Sequence, residues 1–188
     1  MREKPETVEE ARTMLIDAAK YLAARETAYF CEGPFRRLYE CKPTAISCTG
    51  VVAWAAHRTF GGALEDQLID AGIGTAEAMW NSEQLEHISP CKVEPADLVF
   101  FKHREKNGGC YDWHVMMLVE RWSIVGACSE LEQGPDGHGC VVQCDLLSYR
   151  RKTRWKAKGI KRLPFGKLLN LAPFEPRWAT EEPVDEYQ

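Results

Sequence analysis

The sequence predicts an α+β fold in which helices come first and one antiparallel sheet follows. Apolar residues at helical spacing are confined to the first half of the chain, whereas five short β-branched or aromatic runs follow Pro95. The 188 residues are 45% hydrophobic and 28% charged, which is the composition of a folded chain of about one domain. We therefore predict one domain over residues 1–172 and an acidic, proline-containing tail over 173–188 that lies on the surface or is disordered.

Three helices are predicted before Pro95. A capping box from Thr7 to Glu10 starts the first helix, which runs from about 8 to 25 with its apolar residues on one face. After a turn-rich loop over 26–44, the second helix begins near Cys48 and stops at a pair of glycines, 61 and 62. Thr75 caps a shorter third helix from 76 to about 86.

The five strand-like runs are short, apolar and bounded by Gly, Asn, Asp or Pro, which is typical of strands joined by turns. They cover residues 98–101, 115–119, 123–127, 141–146 and 159–163. Their meander-like spacing predicts a five-stranded antiparallel sheet, on which the helix that begins near Cys48 packs.

Charge and hydropathy argue against two classes of protein. The formal net charge is −4, and segment 150–167 contains nine Lys or Arg residues and no acid. We interpret this segment as including the solvated face of a strand, and we do not expect a nucleic-acid partner. The apolar runs are shorter than the roughly 18 residues of a membrane span, and no signal peptide follows Met1. We expect a protein that is cytoplasmic as made, with export by another route or within a virion.

The eight cysteines contain no Cys-x-x-Cys pair, and we assign no metal ion and no cofactor. Cys140 and Cys144 are the nearest to a metal motif, but on a strand their Cα atoms would lie about 13 Å apart. That separation is too long for a disulfide and for two ligands of one zinc ion. We expect most of the thiols to be reduced and buried, with a zinc-binding module as the alternative.

Cys48 is the candidate nucleophile. It opens a predicted helix, where free backbone N–H groups and the helix dipole favour a thiolate and can hold an oxyanion. His57 lies nine residues further along the same helix and would point the opposite way. His114 opens a predicted strand, from which its ring can face a helix end. A thiol on a helix and an imidazole on a strand form the arrangement of papain-like sites.

Three segments resemble, in order, the motifs of the NlpC/p-sixty cysteine peptidases. Residues 47–52, Ser-Cys-Thr-Gly-Val-Val, are similar to the family's Asp-Cys-Ser-Gly-Leu-Val nucleophile motif. Residues 94–101 resemble its Pro-Gly-Asp-Leu-Val-Phe-Phe strand, and residues 114–119 resemble its His-Val-Gly-Ile-Tyr strand. The resemblance spans roughly residues 26–165 and implies a papain-like, NlpC-type fold with Cys48 as nucleophile and His114 as general base.

The resemblance also implies further site residues. Tyr29 is similar to a family tyrosine near the nucleophile, and an insertion over 34–43 would border the cleft. The family's ring-orienting polar residue, about twelve positions after the base, is replaced here by Gly126. We expect Gln143 to orient the ring if the next strand places it opposite Gly126. Lesser candidates for that role are Glu130 and Asp112, and candidates for lining the substrate cleft are Trp113 and Tyr111.

The activity implied is hydrolysis of amide bonds in peptidoglycan stem peptides, commonly next to D-glutamate and diaminopimelate, through a Cys48 acyl-enzyme. The expected partner is peptidoglycan or its peptides. The protein would reach this partner as a phage-tail component or as an effector delivered by a secretion system. Two alternatives stay open. One is an acyltransferase or deamidase on the same fold, and the other is a catalytically weakened binding module that has lost its orienting residue.

Overall fold

The computed structural model describes residues 4–31, 33–104, 111–128, 139–153 and 155–171, and these form an α+β fold. The helices within these ranges are α1 (Val8–Ala24), α2 (Cys48–Thr59), α3 (Glu65–Asp70), α4 (Ala76–Asn81), α5 (Leu146–Lys152) and α6 (Phe165–Leu169). The strands are β1 (Ala28–Tyr29), β2 (Ala45–Ile46), β3 (Glu86–Ile88), β4 (Leu98–Arg104), β5 (Tyr111–Glu120), β6 (Ser123–Cys128), β7 (Cys140–Asp145) and β8 (Lys156–Arg162). The predicted tail over 173–188 lies outside the described residues.

The first two predicted helices are confirmed, and the third is shorter than predicted. The capping box is present, with Glu10 N–H donating to Thr7 Oγ1 at 3.2 Å. Helix α4 ends at Asn81 rather than near residue 86, because the backbone of Ser82 is extended and residues 86–88 pair with β8. Helices α3, α5 and α6 have only five to seven residues, too few for a helical period to be recognised in the sequence. No helix in the described part of the chain is long and apolar enough to span a membrane.

The sheet is larger than predicted. Its strand order is β2-β1-β7-β6-β5-β4-β8-β3, so the five predicted strands are present as β4 to β8 and pair antiparallel. The prediction of a five-stranded antiparallel sheet is nevertheless wrong, because β1, β2 and β3 extend it to eight strands and β1 pairs parallel to β2. These added strands contain two or three residues each, below the length at which strand alternation can be recognised.

The sheet carries apolar side chains on both faces. Helices α1 and α2 pack on one face, and the core there includes Leu15, Val52 and Val115. The opposite face holds a second buried cluster, which includes Phe101 and Tyr149. Because side chains alternate along a strand, consecutive residues of β5 enter different clusters, and this alternation decides which residues can meet at a site.

The acid of the Asp-Leu-Val-Phe-Phe segment is structural. Asp97 is fully buried, and its carboxylate accepts hydrogen bonds from Arg162 at 2.8 and 3.0 Å and from the Glu94 N–H at 2.9 Å. Arg12, on α1, contacts the same carboxylate at 3.7 Å and donates to the Pro95 carbonyl. This network ties α1 and β8 to the start of β4.

Replacing Asp97 with alanine should destabilise the fold strongly. The substitution leaves the partly buried Arg162 guanidinium without its two-point partner, and we expect a loss of about 3 kcal/mol in the free energy of unfolding. The measurement is a urea unfolding curve. The control is Glu120→Ala, which removes an exposed pair with Lys20 and should cost under about 1 kcal/mol. Equal losses in the two variants would contradict the structural role of Asp97.

Candidate active site

Cys48 is the first residue of α2, and the local sequence fixes it there. Ser47 caps the helix, its hydroxyl accepting a hydrogen bond from Gly50 N–H at 3.0 Å. A Cβ atom at position 50 would lie 2.7 Å from Ile46 Cγ1, so glycine lets α2 start close against β2. Of the N–H groups expected to hold an oxyanion, the one on Gly50 is therefore already used.

The Cys48 thiol is surrounded by the backbone of two elements. The N–H groups of Val115 on β5, of Thr49 and of Cys48 itself lie close to its sulfur and lower its pKa. Burial has the larger effect and raises the pKa of the Cys48 thiol to about 11. The helix end lowers this pKa as expected, but the net shift is upward, because removal from water outweighs the N–H groups. At neutral pH the thiol is protonated.

His114 lies on β5 in a pocket of aromatic rings. Its ring stacks on Trp155 at a centroid distance of 5.1 Å and on Tyr149 at 6.1 Å, and Phe101 lies 6.0 Å away. Burial lowers the pKa of the His114 imidazole to about 4. At neutral pH the ring is therefore neutral and able to accept a proton.

The Nε2 atom of His114 is buried and has no hydrogen-bond partner among the described residues. A buried polar atom without a partner is uncommon and costs stability, so it calls for an explanation. The atom is not bonded to the Cys48 thiol, although the Val115 N–H that touches the thiol belongs to the very next residue. Because side chains alternate along β5, the His114 ring lies with Phe101 and Tyr149 on the sheet face opposite to α2, and the structure does not bring Nε2 to the Cys48 thiol.

The position of the missing orienting residue is filled by the neighbouring strand. A Cβ atom at Gly126 would lie 2.7 Å from Met116 Cγ, so Met116 occupies the space that a side chain at 126 would need. The register on which the Gln143 assignment depended is not present, because Gly126 pairs with Val142 and Gln143 pairs with Val125. Gln143 lies on the opposite face of the sheet from Gly126, and its amide donates to Ser123 Oγ at 3.2 Å.

The aromatic pocket takes the place of a polar orienting group around His114. Sequence reasoning missed two of its three rings, those of Tyr149 and Trp155. Tyr149 lies on α5, three residues beyond the predicted strand 141–146, and Trp155 lies within the basic segment 150–167. Glu130 and the side chain of Asp112, the other candidates for orienting the ring, lie outside the described residues.

Tyr29 lies close to the candidate nucleophile. Burial raises the pKa of the Tyr29 phenol, and the charges of the nearby Cys48, Cys31 and Cys128 thiols raise it further. The structure therefore brings Tyr29 and Cys48 together. The segment from 34 to 43 packs on α2, where Trp54 Nε1 donates to the Glu40 carbonyl at 2.8 Å.

Because side chains alternate along β5, the side chain of Trp113 lies on the sheet face opposite to that of His114. It packs with the helix-side core and stacks on Trp80 at 5.8 Å, with the Lys102 ammonium 4.5 Å from its ring centroid. Trp113 is therefore part of a half-buried aromatic pair on the face opposite to the His114 ring. The side chain of Tyr111, the other predicted cleft residue, lies outside the described residues. Within the described ranges, no group of three or more His, Cys, Asp or Glu residues could hold a metal ion.

The fold is similar to solved structures of NlpC-type proteins. NlpC2 and NlpC1 from Trichomonas vaginalis each match 87% of this chain with a TM-score of 0.55 and 17% identity, over 50% and 48% of their own chains. A protein described as similar to lipoprotein, NLP/P60 family, from Staphylococcus aureus matches with the same TM-score and identity over 87% of this chain and 44% of its own. This chain thus spans about half the length of these neighbours. No protein-family model and no curated protein matches it.

Proposed function

We propose that this protein is a cysteine hydrolase that cleaves amide bonds, with Cys48 as nucleophile and His114 as general base. The observation that carries the proposal is Cys48 at the capped start of α2, with its sulfur beside the N–H group of Val115, the residue that follows His114. The His114 ring faces the other side of the sheet, so the proposal includes a turn of this ring toward Cys48 when substrate binds. A neutral imidazole held without a partner is costly to the fold and is what a proton acceptor requires.

The proposed reaction starts from a neutral thiol and a neutral imidazole. When a substrate carbonyl reaches Cys48, His114 Nε2 accepts the thiol proton as the sulfur attacks the carbonyl carbon. The N–H groups of Cys48 and Thr49, which lie beside the sulfur, stabilise the oxyanion, whereas those of Gly50 and Val51 are already bonded to Ser47. His114 then gives its proton to the departing amine, and water hydrolyses the acyl-enzyme.

We propose peptidoglycan stem peptides as the substrate class, near D-glutamate and diaminopimelate. Support comes from the motif resemblance and from the fold that the chain shares with NlpC-type proteins. Strand β8 adds the exposed lysines 156 and 158, whose charges would attract peptides that carry carboxylates. Delivery in a phage tail or by a secretion system fits such a substrate.

A second candidate is a binding module that has lost catalysis. It is favoured by Gly126, which can orient nothing, and by the pKa values of the Cys48 thiol and the His114 imidazole, which oppose a resting ion pair. Transfer of the acyl group to an acceptor other than water, or deamidation, is the alternative reaction on the same residues.

Digestion of purified peptidoglycan tests the proposal. We expect the reduced wild-type protein to release muropeptides and Cys48→Ala to release none, a loss of more than about 10³-fold in rate because the nucleophile is gone. The control is Cys41→Ala, which removes an exposed cysteine from the same region and should leave the rate unchanged. Mass analysis of the products identifies the bond. No release from several wall types would favour the binding module.

A further inference from the structure

Cys31 lies beside Cys48 by virtue of the parallel pair β1–β2. Ala28 is opposite Ala45 and Tyr29 is opposite Ile46, so Cys31 and Cys48 are each two positions beyond the last pair. The strands remain bonded past Tyr29, since Phe30 N–H donates to the Ile46 carbonyl at 3.2 Å. The strands lie about 4.8 Å apart at their last pair, which puts Cys31, just after β1, in the neighbourhood of Cys48, the first residue of α2. A disulfide bridges Cα atoms about 4.4–6.8 Å apart.

The side chains agree with this placement. The Tyr29 hydroxyl lies close to the thiols of both Cys31 and Cys48. The Cys31 thiol is close enough to Cys48 that its charge raises the pKa of the Cys48 thiol. Cys31 is exposed, whereas Cys48 is only partly exposed, so a reagent in solution meets Cys31 first.

We propose that Cys31 and Cys48 form a reversible disulfide that blocks the nucleophile under oxidising conditions and protects it from further oxidation. The pairing itself depends only on the two thiols, and its effect on activity rests on the proposed function of Cys48.

The oxidant we propose is a small disulfide such as oxidised glutathione. The Cys31 thiolate attacks one of its sulfurs, which forms a mixed disulfide and releases one reduced glutathione. The Cys48 thiol loses its proton to solvent and attacks the Cys31 sulfur, which forms the Cys31–Cys48 bond and releases the second glutathione. Two protein thiols are oxidised and one glutathione disulfide is reduced.

The test is a disulfide map of the full chain after incubation with oxidised glutathione and blocking of free thiols. Trypsin places Cys31 on peptide 26–36, but Cys41 and Cys48 share peptide 38–58, since Pro43 prevents cleavage after Lys42. The map is therefore made on Cys41→Ser, in which a link between these peptides identifies Cys48. We expect this link, with a mass loss of two hydrogens per chain and no retained glutathione.

Activity provides the second readout. Oxidation should lower muropeptide release about tenfold or more, and dithiothreitol should restore it. Cys31→Ser should keep the activity of the reduced protein and form no link to peptide 38–58. The proposal is overturned if Cys31 only retains glutathione, or if the only link joins Cys128 and Cys140, which lie opposite each other on β6 and β7. Because mass alone detects the link, the pairing is tested even if the reduced protein releases no muropeptides.

Discussion

Replacing His114 with phenylalanine is expected to abolish hydrolysis and to make the protein more stable at neutral pH. Loss of the general base should reduce the rate by about 10²–10⁴-fold. The same change removes a buried Nε2 atom without a partner and places a phenyl ring among Phe101, Tyr149 and Trp155. An unsatisfied buried polar atom costs about 1–3 kcal/mol, so we expect a gain of about 1 kcal/mol in the free energy of unfolding.

The substitution should also remove part of the acid sensitivity of the fold. The pKa of His114 is about 4 in the folded state and about 6.5 in the unfolded chain. Between these values the unfolded chain binds the proton and the folded chain does not, so stability falls as the pH drops from 6.5 to 4. The loss from this one residue is about 3 kcal/mol at pH 4, and His114→Phe should lack it.

Rates of muropeptide release and urea unfolding curves at pH 4.5 and 7 measure both effects. The control is His87→Phe, at an exposed histidine that contacts Trp80 away from the candidate active site. It should change neither the rate nor the pH dependence of stability. A His114→Phe protein that keeps its activity, or that is less stable at pH 7, would rule out a role for His114 as a base held at a cost to the fold.

The sequence was sufficient to place Cys48 and His114 on their elements, because local signals determine both positions. The Ser47 cap and the small Gly50 specify a helix that starts at Cys48. The continuous apolar run after His114, Val-Met-Met-Leu-Val, specifies a strand that is buried on both faces. The long elements were predictable for the same reason, since each shows several periods of its own pattern.

The surroundings of the two residues could not be predicted, because they depend on which face each side chain takes and on contacts distant in the chain. Sequence counting identified Gly126 as the position of a missing orienting group, but not that Met116 fills its space. A shift of one residue in register moves a side chain to the other face, and this was enough to separate Gln143 from Gly126. Burial, which raises the pKa of Cys48, is likewise a property of the assembled fold.

Alkylation of Cys48 by iodoacetamide is expected to be slow at pH 7. With a thiol pKa of about 11, its thiolate fraction is roughly 300-fold below that of an ordinary cysteine with a pKa near 8.5. A more basic thiolate is a better nucleophile, which recovers about tenfold of this difference. We therefore expect Cys48 to react about 30-fold more slowly than a free model thiol with a pKa near 8.5, with a rate that rises up to about pH 11.

The measurement is time-resolved alkylation from pH 6 to 11, followed by quantification of the Cys48 peptide and of the model thiol. A Cys48 rate that is already high and constant near pH 6 would mean that the thiolate and the imidazolium exist as an ion pair before substrate binds. Slow alkylation combined with full hydrolytic activity at pH 7 would mean that no such ion pair exists before substrate binds. The proton would then leave Cys48 only in the substrate complex, once the His114 ring has turned from its aromatic pocket toward the sulfur. In that case the fold supplies a neutral acceptor and a neutral thiol, and the substrate completes the active site.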